Sequence, residues 1–276
     1  MSESEVFGRV LIAFDLSPHS LTALEAAVEV AALFDAELLG VFVEDVDLLR
    51  LADLGFASEI RSFSATIQPL DAERMRLQLR AAAERARRTL AVSAERARVP
   101  WSFHVARGPV AAAVMEKVGG RDLISLGRLG WSALGRAGLG RTARMILGAA
   151  QVSALVLRQG GWAVAPLCAL YDGSKAARRG LDVAARLARR ETPTVVVVAG
   201  DDRAAERLEH EAAELLRSRG VRARFRRLVG VDRKTVLAAV RAGAPGLIVL
   251  PAEAGEDLGD FLAEAETPVL VVRDVE

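Results

Sequence analysis

The stretch SLGRLGWSALGRAGLGRTARMI, Ser125 to Ile146, holds five glycines: Gly127, Gly130, Gly135, Gly138 and Gly140. The apolar run DLIS precedes it and a helical pattern, RTARMILGAA, follows. This arrangement has the chemistry of an anion cradle. Glycine lets backbone amides approach an anion and tolerates positive φ. A helix N-terminus presents unpaired N–H groups at the positive end of its dipole. Gly140 directly precedes the helix expected to begin near Arg141, and Arg128, Arg136 and Arg144 add positive charge. A carboxylate, Asp15, follows the first apolar run. The opposing reading is a glycine-rich crossover loop that only connects two elements.

A catalytic set is not legible beside these residues. The loop contains no lysine, no Walker-type lysine motif is present, and no second carboxylate is placed beside Asp15 for magnesium. The expectation is a binding protein rather than an enzyme. His19, His104 and His210 are far apart and lack metal-ligand spacing, so surface or core-edge positions are expected for them.

The elements that must position the loop alternate along the chain. Short apolar runs are RVLIAF (9–14), AELLGVFV (36–43), WSFHVA (101–106), DLISLG (122–127) and SALVLR (153–158). A second series follows: PLCALYD (166–172), PTVVVVAG (193–200), VRARFRRL (221–228), GLIVLP (246–251) and PVLVVR (268–273). Most lack polar alternation, as strands of a parallel sheet covered on both faces do. The third run of each series alternates and reads as an edge strand. Helical segments fill the intervals. The first has Ser17 as N-cap and Pro18 at its first position, with Leu24, Val28, Ala31 and Phe34 on one face. The second series repeats this with Ser174 as cap. A long helix over 71–97 has Asp71 as cap, and its arginines alternate with glutamates on what reads as a solvated face.

The order β-α-β-α-β-α-β-α-β therefore occurs twice. It predicts an α/β chain of two tandem open five-stranded parallel-sheet domains with helices on both faces. The boundary is expected in RQGGWAVAP (158–166), giving domains 1–160 and 161–276. Ligands of such sheets bind outside the carboxyl ends of strands where strand order reverses. Neighbouring first and fourth strands, ending at Asp15 and Gly127, would form that crevice.

Composition narrows the function classes. With 37 basic and 36 acidic residues the chain is not a dedicated nucleic-acid binder. One cysteine, Cys168, excludes an intramolecular disulfide. No apolar run approaches the ~20 residues of a membrane helix, and the expected location is the cytoplasm.

VLIAFDLSPHSLTALEAAVEVAALFDAELLGVFV resembles the opening of universal stress protein domains, and DLISLGRLGWSALGRAGLGRTARMILGAAQVSALVLR resembles their closing segment. CALYDGSKAARRGLDVAARLA, GLIVLP and TPVLVVR look like a degenerate second copy. The resemblance implies a Rossmann-like, adenine nucleotide alpha-hydrolase-like fold in tandem form and a stress-response regulatory role. The ATP-binding subgroup carries a glycine, two residues, a glycine, nine residues, a glycine, then serine or threonine. Gly127, Gly130 and Gly140 match this spacing; Arg141 stands at the hydroxyl position and Thr142 follows. Leu16 replaces the glycine common after the first-strand aspartate. The resemblance further implies Asp15 near ribose or phosphates and Ala13 and Val41 near adenine, with Leu126 lining the same crevice. The implied ligand is ATP, with AMP, ADP and magnesium as alternatives or additions. Arg141 has two open roles. It can donate to a phosphate, or fill the phosphate space and leave a nucleotide-free scaffold; a third reading, a slow ATPase or nucleotidyl transferase, has no catalytic set in the sequence to carry it.

The second copy keeps Asp172, Gly173 and Ser174, but residues 251–268 replace the longer interval 127–153 and are acidic, with Glu253, Glu256, Asp257 and Asp260. No ATP site is expected there. The fifth strands of the two domains are expected to meet within the chain as a pseudo-dimer, with an unidentified protein partner and a homodimer as further associations. The insertion 44–70 carries Leu48, Leu49, Leu51, Leu54 and Phe56. It is expected as short helices packed on the same chain, as a lid over the crevice, or as a contact with another chain.

Overall fold

A computed structural model describes residues 6–46, 50, 58–60, 67–69, 72–127, 139–149, 151–158, 162–188, 191–253 and 258–274. In chain order its elements are β1 (Arg9–Ala13), α1 (Pro18–Phe34), β2 (Glu37–Asp45), β3 (Ser58–Ile60), β4 (Ile67–Pro69), α2 (Ala72–Ala97), β5 (Trp101–Gly108), α3 (Val110–Met115), β6 (Asp122–Gly127), α4 (Arg141–Ala149) and β7 (Ser153–Leu157). The chain continues through β8 (Leu167–Tyr171), α5 (Lys175–Ala188), β9 (Thr194–Ala199), α6 (Asp202–Ser218), β10 (Arg224–Val229), α7 (Arg233–Ala242), β11 (Leu247–Pro251), α8 (Gly259–Glu264) and β12 (Val269–Val272).

Ten strands form one sheet in the order β10-β9-β8-β11-β12-β7-β6-β1-β2-β5. Each half supplies five parallel strands in the same internal order, and the first and fourth strands of each half are neighbours. The halves join where β12 runs antiparallel to β7, with Leu270 opposite Leu155. The alternating third runs, β5 and β10, are the two outer edges. Edge strands face water on one side, which is why these two alone carry polar residues at every other place.

Successive strand residues feed opposite cores, as the two-residue period requires. Val10 and Ile12 pack under α1, α2, α5 and α6, whereas Leu11 packs under α3, α4, α7 and α8. Both cores run across the join. On α1, Leu24, Val28, Ala31 and Phe34 are all buried, and Ser17 caps the helix with its side chain accepting from the Ser20 N–H. Burying one such large apolar side chain contributes about 1.5–3 kcal/mol. Further ties cross between halves. Arg179 Nη2 donates to the Val6 carbonyl at 2.6 Å, Trp162 Nε1 donates to Glu29 Oε2 at 2.6 Å, and the Arg186 guanidinium lies 5.4 Å from the Phe34 ring centroid.

Several expectations change. The insertion was expected as short helices; among its described residues Val46 and Arg50 are helical, and Ser58–Ile60 and Ile67–Pro69 pair as an antiparallel ribbon, β3 and β4, which was not expected. Its leucines and Phe56 lie outside the described residues, as does Asp71, the expected cap of α2. The first strand ends at Ala13 rather than at Asp15, since Asp15 already belongs to the turn into α1. Of the histidines expected at the surface or core edge, His104 and His210 are exposed and His19 is buried, 7% exposed, in the first turn of α1. Cys168 is buried, and desolvation pushes its thiol up to about 11. Among the described residues no helix is long and apolar enough to cross a membrane, and no group of side chains could hold a metal ion.

Candidate functional site

The crevice is built from the bottom of the sheet upward. At the start of β1 and β6, Arg9 Nε donates to Asp122 Oδ1 at 3.1 Å and Nη2 to Oδ2 at 2.7 Å. Asp122 is buried, and its hydrogen bond raises the Arg9 pKa. This fork locks the register Arg9↔Asp122, so the two strands finish side by side, β1 four residues later and β6 five. Above it, the buried Ser125 hydroxyl donates to the Ala23 carbonyl at 3.0 Å and holds α1 against β6.

The strand ends then diverge. Phe14 N–H donates to the Val41 carbonyl at 3.0 Å, and Asp15 emerges exposed. The Asp15 Oδ1 accepts from the Ser17 N–H at 2.9 Å, forming an Asx turn. Between them Leu16 has φ +61°, the left-handed region that glycine favours. The second half builds the same turn. Asp172 Oδ1 accepts from the Ser174 N–H at 2.9 Å, and the intervening residue is Gly173 at φ +82°.

Gly127 ends β6 against the first turn of α1. A Cβ there would sit 2.8 Å from the His19 carbonyl carbon and 2.9 Å from its oxygen. The first glycine of the loop is therefore demanded by packing, independently of any ligand. Gly140 stands before α4, and its carbonyl accepts from the Arg144 N–H at 3.0 Å, which opens the helix there. Arg141 is exposed and Thr142 half-buried at the first positions of α4, next to the helix's unpaired N–H groups.

Ala13, Val41 and Leu126 share one apolar cluster with Leu139 and Ala143 on the α3–α4 side of the sheet. Ala13 is half-buried, but Val41 and Leu126 are only 1% and 3% exposed. Arg128 and Gly130, together with Gly135, Gly138 and Arg136, lie outside the described residues. Of the expected site residues, the structure brings Asp15, Gly127 and the three apolar positions to one end of β1, β2 and β6, with Gly140, Arg141 and Thr142 heading the helix that follows.

Sequence reasoning missed two residues here. His19 packs its backbone on Gly127; the only signal was its place in the first turn of the helix after the first strand. Arg273, 2% exposed, follows β12. Its Nη1 donates to the Glu253 carbonyl at 2.7 Å and its Nη2 to the Leu147 carbonyl at 3.3 Å, near the end of α4. Burial lowers its pKa. Nothing local in PVLVVRDVE marks that contact, which spans the two halves.

The comparisons with known proteins agree with this architecture. A universal stress protein from Archaeoglobus fulgidus DSM 4304 superposes with a TM-score of 0.72 at 17% identity, covering 96% of this chain and 98% of that one. A functionally unknown protein from Pseudomonas aeruginosa PAO1 gives 0.54 at 15% identity, covering 98% and 93%. The cytoplasmic domain of a prokaryotic cation chloride cotransporter gives 0.51 at 12%, covering 98% and 96%. At these identities the likeness is one of fold. No curated protein matches the sequence. The profile of the universal stress protein family matches residues 7–158, more than half the chain. The chain belongs to the universal stress protein family.

Proposed function

We propose that the first half, residues 1–160, binds an adenine nucleotide, ATP in the first instance, at the ends of β1 and β6, and that the second half, 161–276, is a degenerate copy without a nucleotide site. What supports this reading is that Asp15 and Gly127 lie at the ends of the neighbouring strands β1 and β6, at the strand-order reversal where sheets of this kind take their ligands, and that α4 begins at Arg141 directly after Gly140. The phosphates belong at the N-terminus of α4, where N–H groups and the helix dipole favour anions. Arg141, exposed beside them, supplies a charged fork in place of a hydroxyl. Asp15 is the acceptor for ribose hydroxyls, and magnesium would accompany the phosphates. Bound nucleotide regulates a protein partner to the extent that it binds two conformations unequally. The protein acts as a cytoplasmic binding module rather than an enzyme.

One observation favours a second reading. Val41 and Leu126, the expected adenine walls, are covered, and Leu139 lies in the same apolar cluster. This suits a nucleotide-free scaffold in which Arg141 closes the phosphate space. The test is direct. Freshly purified protein is heat-denatured, released small molecules are separated by ion exchange, and the emptied protein is titrated with ATP and magnesium by calorimetry. Near one adenine nucleotide per chain, retained without turnover, is the expected result. No nucleotide and no heat, with an Arg141→Ser variant that does bind, establishes the scaffold. Turnover of the bound ATP would instead make the protein a slow ATPase.

A further inference from the structure

The second half has a crevice of its own, and its chemistry differs from that of the first. A cavity of about 250 Å3 lies at the ends of β8 and β11. The strand registers Ile12↔Ser125 and Ala169↔Val249 make the two crevices equivalent, so Asp172 stands where Asp15 does and Pro251 where Gly127 does. The walls include the buried Leu170, Val236 and Leu250 and the half-buried Val198 and Val231.

Three features turn this cavity away from phosphate. Pro251 has no N–H to offer an anion. The helix that follows, α8, has six residues, against nine in α4. Among the described residues the two exposed lining residues, Asp172 and Glu253, are both carboxylates, and no lysine or arginine is in the lining. One Asp172 oxygen accepts from the Ser174 N–H, which leaves further acceptor capacity on the carboxylate. Lys175 lies 3.9 Å from Asp274, and Arg273 directs its guanidinium to the Glu253 and Leu147 main-chain carbonyls. The volume falls below the ~300–1,000 Å3 of pockets for drug-sized ligands.

We infer that this second crevice binds a small organic cation, an ammonium group on an apolar body, with Asp172 and Glu253 meeting the charge and the valines and leucines covering the rest. A carboxylate-rimmed apolar pocket selects such a ligand because the anion of the same shape is repelled and the apolar body gains from leaving water. The site is independent of the nucleotide reading of the first half.

The experiment uses the full chain and two probes of matched shape, phenethylammonium and phenylacetate, followed by calorimetry and by chemical shifts of valine and leucine methyl groups. One saturable site for phenethylammonium is expected, with shifts at Val198, Val231 and Val236 and at least tenfold weaker binding of phenylacetate. The double variant Asp172→Asn, Glu253→Gln should weaken phenethylammonium binding at least tenfold and leave the response to ATP unchanged; Asp172→Asn keeps the acceptor of its turn. Val236→Trp, which fills the cavity, should abolish binding, and if it does not fold, the methyl shifts of the parent decide. Equal binding of the two probes, no saturable binding, shifts confined to the first half, or indifference to the double variant overturns the inference.

Discussion

Leu16 and Gly173 occupy the same turn in the two halves, each between an aspartate that accepts across the turn and a helix-capping serine, at φ +61° and +82°. A leucine held in the left-handed region costs about 1–2 kcal/mol. Leu16→Gly removes that strain but also removes a side chain packed on the core and adds about 0.5–1 kcal/mol of glycine entropy. Its stability in urea unfolding should stay within about 1 kcal/mol of the parent. Gly173→Leu regains that entropy but takes on the strain that Leu16 carries. Its new Cβ would lie 2.6 Å from Leu208 Cδ2, the tip of a side chain that must move aside, at φ +82°. It should destabilise by about 1 kcal/mol or more.

Gly127→Ala separates packing from ligand binding. The added carbon meets main-chain atoms of His19, which cannot rotate away as a side-chain tip can. A loss of about 1–3 kcal/mol is expected in nucleotide-free protein. An unchanged melting temperature would mean that α1 shifts freely over β6.

Acid should reveal the Arg178–Glu211 pair on the surface of the second half. Arg178 Nε donates to Glu211 Oε1 at 2.6 Å, and this bond holds the Glu211 carboxyl below its usual range. A depressed carboxyl contributes stability above its unfolded value, about 4.3, and loses it as pH falls through the folded value. In that window the unfolded chain binds more protons, so stability rises with pH. Melting curves between about pH 5 and 3 should fall more steeply for the parent than for Glu211→Gln. The difference should be small, because the pair is largely exposed.

The periodicity of the runs was enough for the alternating elements, the buried central strands and the outer places of β5 and β10, because a strand covered on both faces and one covered on one face differ in composition. Ser17, Pro18 and the apolar face of α1 were legible for the same local reason. Asp15 and Gly127 could be placed together only through the rule for open α/β sheets. The packing of His19 on Gly127, the φ of Leu16 and the reach of Arg273 were not legible. Each depends on contacts between residues far apart in sequence or on a backbone angle that leucine does not advertise. The β3–β4 ribbon was missed because its strands, SEI and IQP, are three residues each, too short for a two-residue alternation to show.

The antiparallel seam of β7 and β12 has a consequence for how the molecule behaves in dilute solution. A sheet assembled from two separate chains comes apart as concentration falls, since association must offset lost translational freedom. Here the seam closes within one chain, so its formation is unimolecular and insensitive to dilution. The first crevice therefore sits on a scaffold whose integrity does not vary with how much of the protein a cell makes.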